Sequence, residues 1–162
     1  MRTGLAEAWW SRVCDEAEDS AKRLAAAGNL ADACNNEGQY AEAERISREV
    51  LGVGRRVLGE THPRTLSSAN YLASSLSGQG KHAEAERIHR EVLCASRRVL
   101  GEEHPRTLTS ASNVAVTLSD QGKHAEAEEM LQVALAGRRR VLGSAHPDTL
   151  ATAEFLDRVR AV

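Results

Sequence analysis

The sequence predicts an all-α protein, a solenoid of antiparallel helix pairs with about three repeats and a terminal helix at each end. Three observations carry this. First, "VLGETHPRTL" (57–66), "VLGEEHPRTL" (99–108) and "VLGSAHPDTL" (141–150) recur at a stride of 42, and residues 60–101 match residues 102–143 at 25 of 42 positions without a gap. Self-similarity at a stride of about 20 to 50 residues is the mark of stacked repeats. Second, the apolar residues within a unit fall three and four apart, the spacing of one helical face. Third, the chain holds only two Trp, two Tyr and one Phe. Its core is therefore filled by Ala, Leu, Val and Ile, which suits close-packed helices better than aromatic-rich strands.

The elements follow in chain order. Residues 1–20 are expected to hold a capping helix. Leu5, Trp9 and Val13 form one apolar stripe there, and Trp10, Cys14 and Ala17 form another. Residues 21–59 make a degenerate first repeat, in which "QYAEAERISREVLGVGRRVLG" keeps the frame and the segment before Gly38 has drifted. Residues 60–101 and 102–143 are the second and third repeats. In the second, Leu66, Ala69, Leu72, Ala73 and Leu76 mark helix A. Gly80 is placed to end it in the left-handed conformation, with Gly38 and Gly122 equivalent. Helix B then runs from about Lys81 to Leu100 with Ala85, Ile88, Val92, Ala95 and Val99 on its apolar face. Val99 and Leu100 are expected to close that face, Gly101 to permit the turn, and Pro105 to open the next helix A in its first turn, where a missing N–H does no harm. The repeated decapeptide is thus a hinge between units. Residues 144–162 supply one more helix through Leu150, Ala153, Phe155, Leu156 and Val159, either a C-terminal cap or a partial fourth repeat whose partner helix is missing.

Composition excludes several functions. Twenty-one basic and 23 acidic residues are mixed along the chain, for a net charge of −2. No field of either sign is strong enough to gather nucleic acid or anionic lipid. No stretch resembles a signal peptide or a membrane span, which points to a cytoplasmic protein. Cys14, Cys34 and Cys94 share no repeat position and form no CxxC pair, so they read as reduced packing residues. His62, His104 and His146 form one periodic set, and His82 and His124 a second. Members of a set sit in successive repeats, so they do not converge as zinc ligands must, and neither metal nor cofactor is expected. His89 stands outside both sets and reads as a helix-face residue. No Ser/His/Asp or Cys/His signature and no GxxxxGK[ST] loop is present, so no enzyme is expected.

A small residue inside helix A, "QGK" plus a ring at the turn, "AEAE" opening helix B and "LGxxHPxTL" between units together resemble the 42-residue tetratricopeptide repeat of kinesin light chains. The resemblance covers residues 22–157. It places the family's small residues at Ala31, Ala73 and Ala115 and its later alanine at Ala43, Ala85 and Ala127. Tyr40 keeps the usual turn residue, and His82 and His124 depart from it. The resemblance implies a right-handed superhelix whose inner groove, lined by helix A, binds peptide segments of partner proteins. Matching its inward positions gives Asn29, Asp32, Asn35 and Asn36 in the first repeat and Ser67, Asn70, Tyr71, Ser74 and Ser77 in the second. In the third it gives Thr109, Ser112, Asn113, Val116 and Ser119.

An asparagine amide both donates and accepts, so a column of Asn can pair with the backbone of an extended peptide. Lys and Arg, which clamp a terminal carboxylate in other grooves of this type, are absent from these positions, favouring an internal segment. Glu44 with Arg48, Glu86 with Arg90 and Arg45 with Glu49 are i, i+4 pairs that solubilise helix B. Arg55, Arg56, Arg97, Arg98, Arg139 and Arg140 are expected to form a basic edge at the helix B C-termini, complementing the helix dipoles or docking an acidic partner. The expected function is non-catalytic capture of a partner peptide. The alternative is a structural unit that self-associates through its terminal helices within a larger scaffold, sensor or motor adaptor.

Overall fold

The computed structural model describes residues 17–162, with side chains from residue 22 onward. The expected N-terminal cap, with both tryptophans and Cys14, lies largely outside the described residues. Seven helices and no strand occur among those residues: α1 (Ala17–Asn36), α2 (Tyr40–Val57), α3 (Pro63–Gly78), α4 (His82–Leu100), α5 (Pro105–Asp120), α6 (His124–Val141) and α7 (Pro147–Arg160). The chain packs as two compact units, residues 1–72 and 73–162, with the boundary inside α3.

Helix ends are set where the sequence places them. Gly38, Gly80 and Gly122 have φ of +75°, +78° and +74°, a region closed to most residues with a Cβ. At the second of these, Lys81 N–H donates to Leu76 O at 2.9 Å and Gly80 N–H to Ser77 O at 2.9 Å, the paired bonds of a Schellman motif. The same two bonds recur at Gly122 and Gly38. Helices α5 and α7 open with Pro in the first turn, as expected.

The histidine of "HPxTL" has a role that the sequence did not announce. His104 and His146 are N-cap residues, whose Nδ1 accepts the backbone N–H of Arg106 at 3.1 Å and of Asp148 at 3.2 Å. His62 Nδ1 does the same for Arg64 N–H at 3.2 Å. An imidazole nitrogen thus satisfies a donor that the first helical turn leaves without a partner.

In the first unit, α1 packs on α2 around Leu24, Ala27, Ala31, Cys34, Ala43, Ile46, Val50 and Val53. Gly54, near the end of α2, lies close to α3, since a Cβ there would stand 3.1 Å from Thr65 Oγ1. In the second unit, α5 buries two stripes. Thr107, Ser110, Val114 and Thr117 form one, which reaches α4 where Thr117 Oγ1 bonds His89 Nδ1 at 2.9 Å. Leu108, Ala111, Ala115 and Leu118 form the other, which meets α6. There a Cβ on Gly137 would come within 2.6 Å of Leu108 Cδ2, so only glycine permits this approach.

Adding one stride carries the first stripe onto Thr149, Thr152, Leu156 and Val159 of α7, all buried. The second stripe falls on Leu150, Ala153, Asp157 and Arg160, and here Leu150 is 50% exposed. Asp157 and Arg160 replace the fully buried Ala115 and the nearly buried Leu118 of α5. Helix α7 therefore buries one face where α5 buries two.

Four expectations need correction. The apolar face of α4 runs through Ala85, Ile88, His89, Val92, Leu93 and Ser96. Apolar residues alone place Ala95 on this face, whereas His89 and Ser96 fill it. Val99 does not close this face: it is 48% exposed, because packing stops at Ser96, and Val57 and Val141 are exposed as well. His89 is a core residue rather than a surface one. Cys94 is exposed on α4 rather than buried in the packing, whereas Cys34 is buried as expected.

Candidate functional site

Two buried stripes leave α5 a third face, made of Thr109, Ser112, Asn113, Val116 and Ser119. These are the inward positions that the sequence suggested, and among the described residues Thr109 alone of these is bonded by a neighbouring helix, accepting from Arg138 of α6 at 3.1 Å. Their capacities differ. Thr109 Oγ1 donates to Pro105 O at 3.0 Å and Ser112 Oγ to Leu108 O at 3.1 Å, each four residues back. A hydroxyl has one proton, so both side chains are left as acceptors only. Asn113 is half-buried, and its side-chain amide makes no hydrogen bond among the described residues, so it offers two donors and an acceptor outward. Val116, one turn on, is 41% exposed.

On α3, Ser74 is exposed in the register of Val116. Ser77 is engaged: its Oγ donates to Asp120 Oδ2 at 2.9 Å and lies 3.1 Å from His82 Nδ1. With the one serine proton given to Asp120, His82 Nδ1 must be the donor.

The first unit presents Asn29 and Asn36 exposed and Asp32 half-buried on α1. Asn35 is turned inward, its Nδ2 donating to Tyr71 O at 3.1 Å. The Tyr71 ring packs on the first core, 3.4 Å from where a Cβ on Gly28 would lie, so it is part wall and part surface. Ser67 Oγ donates to Pro63 O at 3.0 Å. Asn70 is half-buried, with an Oδ1 that is shut from solvent and has no hydrogen-bond partner. Asn70 and Asn113 do not form one column. Asn113 takes the register of Tyr71 and Asn70 that of Ser112, because the two asparagines are one residue out of step with the repeat.

The basic edge is partly neutralised. Arg55 pairs with Glu60 at 3.5 Å, Arg97 with Glu102 at 3.0 Å and Arg140 with Glu103 at 2.6 Å. Arg56, Arg98 and Arg139 make no ion pair among the described residues. The three i, i+4 pairs form as expected, at 2.8 Å (Glu44–Arg48), 2.8 Å (Glu86–Arg90) and 2.9 Å (Arg45–Glu49). Glu86 is also met by Lys123 at 2.9 Å and Gln121 at 2.7 Å, and the Lys123 bond leads the effects that hold its carboxyl below the usual range.

Two features escaped the sequence reading. Helix α7 carries Phe155 and Arg158 in the register of Asn113 and Val116, with the Arg158 guanidinium 5.2 Å above the Phe155 ring. The second is Arg138, only 7% exposed in the last turn of α6. Its Nη1 donates to Asp148 O at 2.9 Å and to Thr152 Oγ1, and its Nη2 to Thr109 Oγ1 at 3.1 Å. Burial draws the guanidinium pKa down while the charge of Asp148 opposes that shift. Both could be found by continuing the 42-residue register through residue 158 and by noticing an Arg where the other repeats have Gly54 and Ser96.

Among the described residues no three His, Cys, Asp or Glu side chains gather as metal ligands, and no helix is long and apolar enough to cross a membrane.

Comparison with known proteins agrees with this architecture. The tetratricopeptide repeat family model matches residues 22–93 and 68–140. The crystal structure of a Podosopora anserina kinesin light chain with nearly identical TPR-like repeats superposes with a TM-score of 0.78 at 30% identity, covering 85% of this chain. This chain spans 65% of the length of that protein. BtubC (BKLC) from P. vanneervenii has the same fold, with a TM-score of 0.73 at 23% identity, covering 94% of this chain and 63% of its own. The TPR domain of Arabidopsis FLU shares it at a TM-score of 0.61 and 19% identity, covering 72% of this chain and 94% of its own. No protein of curated function matches the chain in sequence. With its 42-residue hinge, its small-residue helix pairs and these likenesses, the chain belongs to the tetratricopeptide repeat family, in the kinesin-light-chain-like form.

Proposed function

We propose that the third face of the A helices captures a peptide segment of a partner protein. Repeats of this family generally mediate protein–protein interaction, and the fold is typically a non-catalytic module. The observation that carries the finer reading is Asn113. Its half-buried amide has no internal partner and stands beside exposed Val116, with acceptor-only hydroxyls at Thr109 and Ser112. Such a surface pairs with the amides and carbonyls of an extended backbone and holds one apolar side chain, without demanding charge. In the second unit the surface comprises Ser74, Thr109, Ser112, Asn113 and Val116, to which we add Phe155 and Arg158. In the first, Asn29, Asp32, Asn36, Ser67, Asn70 and Tyr71 are the candidates.

Panning wild type against a library of unstructured peptides, beside the Asn70→Ala/Asn113→Ala double variant, tests this. The reading expects a peptide family held by wild type and lost by the variant at equal helicity. Equal retention by both would count against it.

A second reading, self-association through the chain ends, is favoured by exposed Leu150. Asp157 and Arg160 oppose it, since they put charge where an apolar stack would need Ala and Leu. Light scattering over a hundredfold concentration range separates the two, and a mass that rises with concentration would revive the second.

A further inference from the structure

We propose that Arg138 is a positioning residue of this recognition surface, clamping α7 to α5 so that α7 supplies the surface with its last column. The inference rests on the groove reading above and assigns a helix B residue a part in it.

The repeat shows that stacking alone does not require a cation at this place. Ser96 and Gly54 hold the same position one and two strides earlier, and both are buried without charge. Arg138 adds the longest side chain available and buries it among neutral acceptors. A buried cation is unfavourable unless its donors are satisfied, and here three hydrogen bonds from two nitrogens go to two helices. Asp148 O and Thr152 Oγ1 belong to the first two turns of α7, and Thr109 Oγ1 to the second turn of α5.

Helix α7 is the element that needs such a clamp. Its second stripe carries Leu150 half exposed and Asp157 beyond, so it buries Thr149, Thr152, Leu156 and Val159 fully, with Ala153 and Phe155 only partly buried against the core and Arg160 bonded to Glu128 of α6 at 2.8 Å. Apolar burial is non-directional, and the exposed Arg160–Glu128 pair ties only the last turn of α7 to α6, leaving its first turns to be fixed from elsewhere. Hydrogen bonds from a planar guanidinium fix both distance and rotation. Thr109 lies on the third face of α5, and Phe155 and Arg158 continue that face on α7. Arg138 therefore sets the gap across which a bound segment would pass from Asn113 and Val116 to Phe155 and Arg158. A lysine, with one compact ammonium, cannot reproduce the planar fork.

The test uses the full chain with Arg138→Ser, which installs the second-repeat residue, Arg138→Lys and Phe155→Ala. The readouts are amide hydrogen exchange and the affinity of a peptide that wild type captures from the random library. In Arg138→Ser we expect α7 amides to exchange about tenfold faster or more, with α4 and α5 protection kept. Peptide affinity should fall about tenfold, equivalent to about 1.4 kcal/mol. Arg138→Lys should fall between, and Phe155→Ala, whose ring also packs on the second core, should weaken binding with a smaller loss of α7 protection than Arg138→Ser. Unchanged α7 protection in Arg138→Ser would overturn the clamp. Faster α7 exchange with undiminished affinity would overturn the positioning role alone, leaving the groove reading intact. Failure of wild type to capture any peptide would overturn the groove reading and the positioning role with it, and the exchange data would still show whether Arg138 clamps α7.

Discussion

His62, His104 and His146 cap helices with Nδ1, the task that Ser, Asn or Asp performs at most helix starts. Because an oxygen acceptor on a short side chain can replace that nitrogen, the account distinguishes capping from simple occupancy. Replacing His104 by Ala should destabilise the protein by about 1 kcal/mol in urea unfolding, and His104→Asn should recover most of it. Equal losses in both variants would mean that the ring matters for packing instead. Glu86 provides a pH test. Lys123, Gln121 and Arg90 favour its ionised form, so its carboxyl titrates below the unfolded range. A depressed carboxylate pKa contributes stability that is present above the unfolded value of about 4.5 and lost as pH falls through the folded value. Acid titration should therefore destabilise wild type more steeply than Glu86→Gln below about pH 4.5. Parallel curves would show that the three partners leave the carboxyl unaffected in solution.

At the scale of the helix, the A elements differ from one another in how many faces they bury. Helix α5 is claimed on two sides and keeps a third, while α7 is claimed on one. Gly137 faces Leu108 with no room for a Cβ, which lets α5 and α6 approach closely. Gly137→Ala should cost about 1 to 3 kcal/mol, because the added methyl must displace a core leucine. Leu108→Ala in the same chain should make the Gly137→Ala change nearly neutral, and a full additional loss would place the strain elsewhere. This scale also shows what a single sequence reveals. The stripes of the A helices, their glycine ends and their proline starts were legible, because each depends on spacing within one segment. His89 and Arg138 were not, since a polar residue's destination depends on the neighbouring helix, which periodicity does not describe. Val99 was misplaced for a related reason: its angle suits the buried face, but packing ends a turn earlier.

Across the whole chain, the stride of 42 repeats the stacking solution and allows the third face to vary. The hinge residues hardly change between units, whereas the third-face position of Asn113 reads Asn29, Tyr71, Asn113 and Phe155 in successive repeats. A surface released from packing is where recognition can be written. The candidate residues were found from the family resemblance. The structure adds which of them retain hydrogen-bonding capacity, a property invisible in sequence because Thr109 and Ser112 donate their hydroxyl hydrogens to carbonyls of their own helix.

Hydrogen exchange of wild type with and without a captured peptide tests the central claim most directly. The account predicts new protection along the third faces of the A helices, with α5 around Asn113 foremost. Protection confined to α4 and α6 would contradict it.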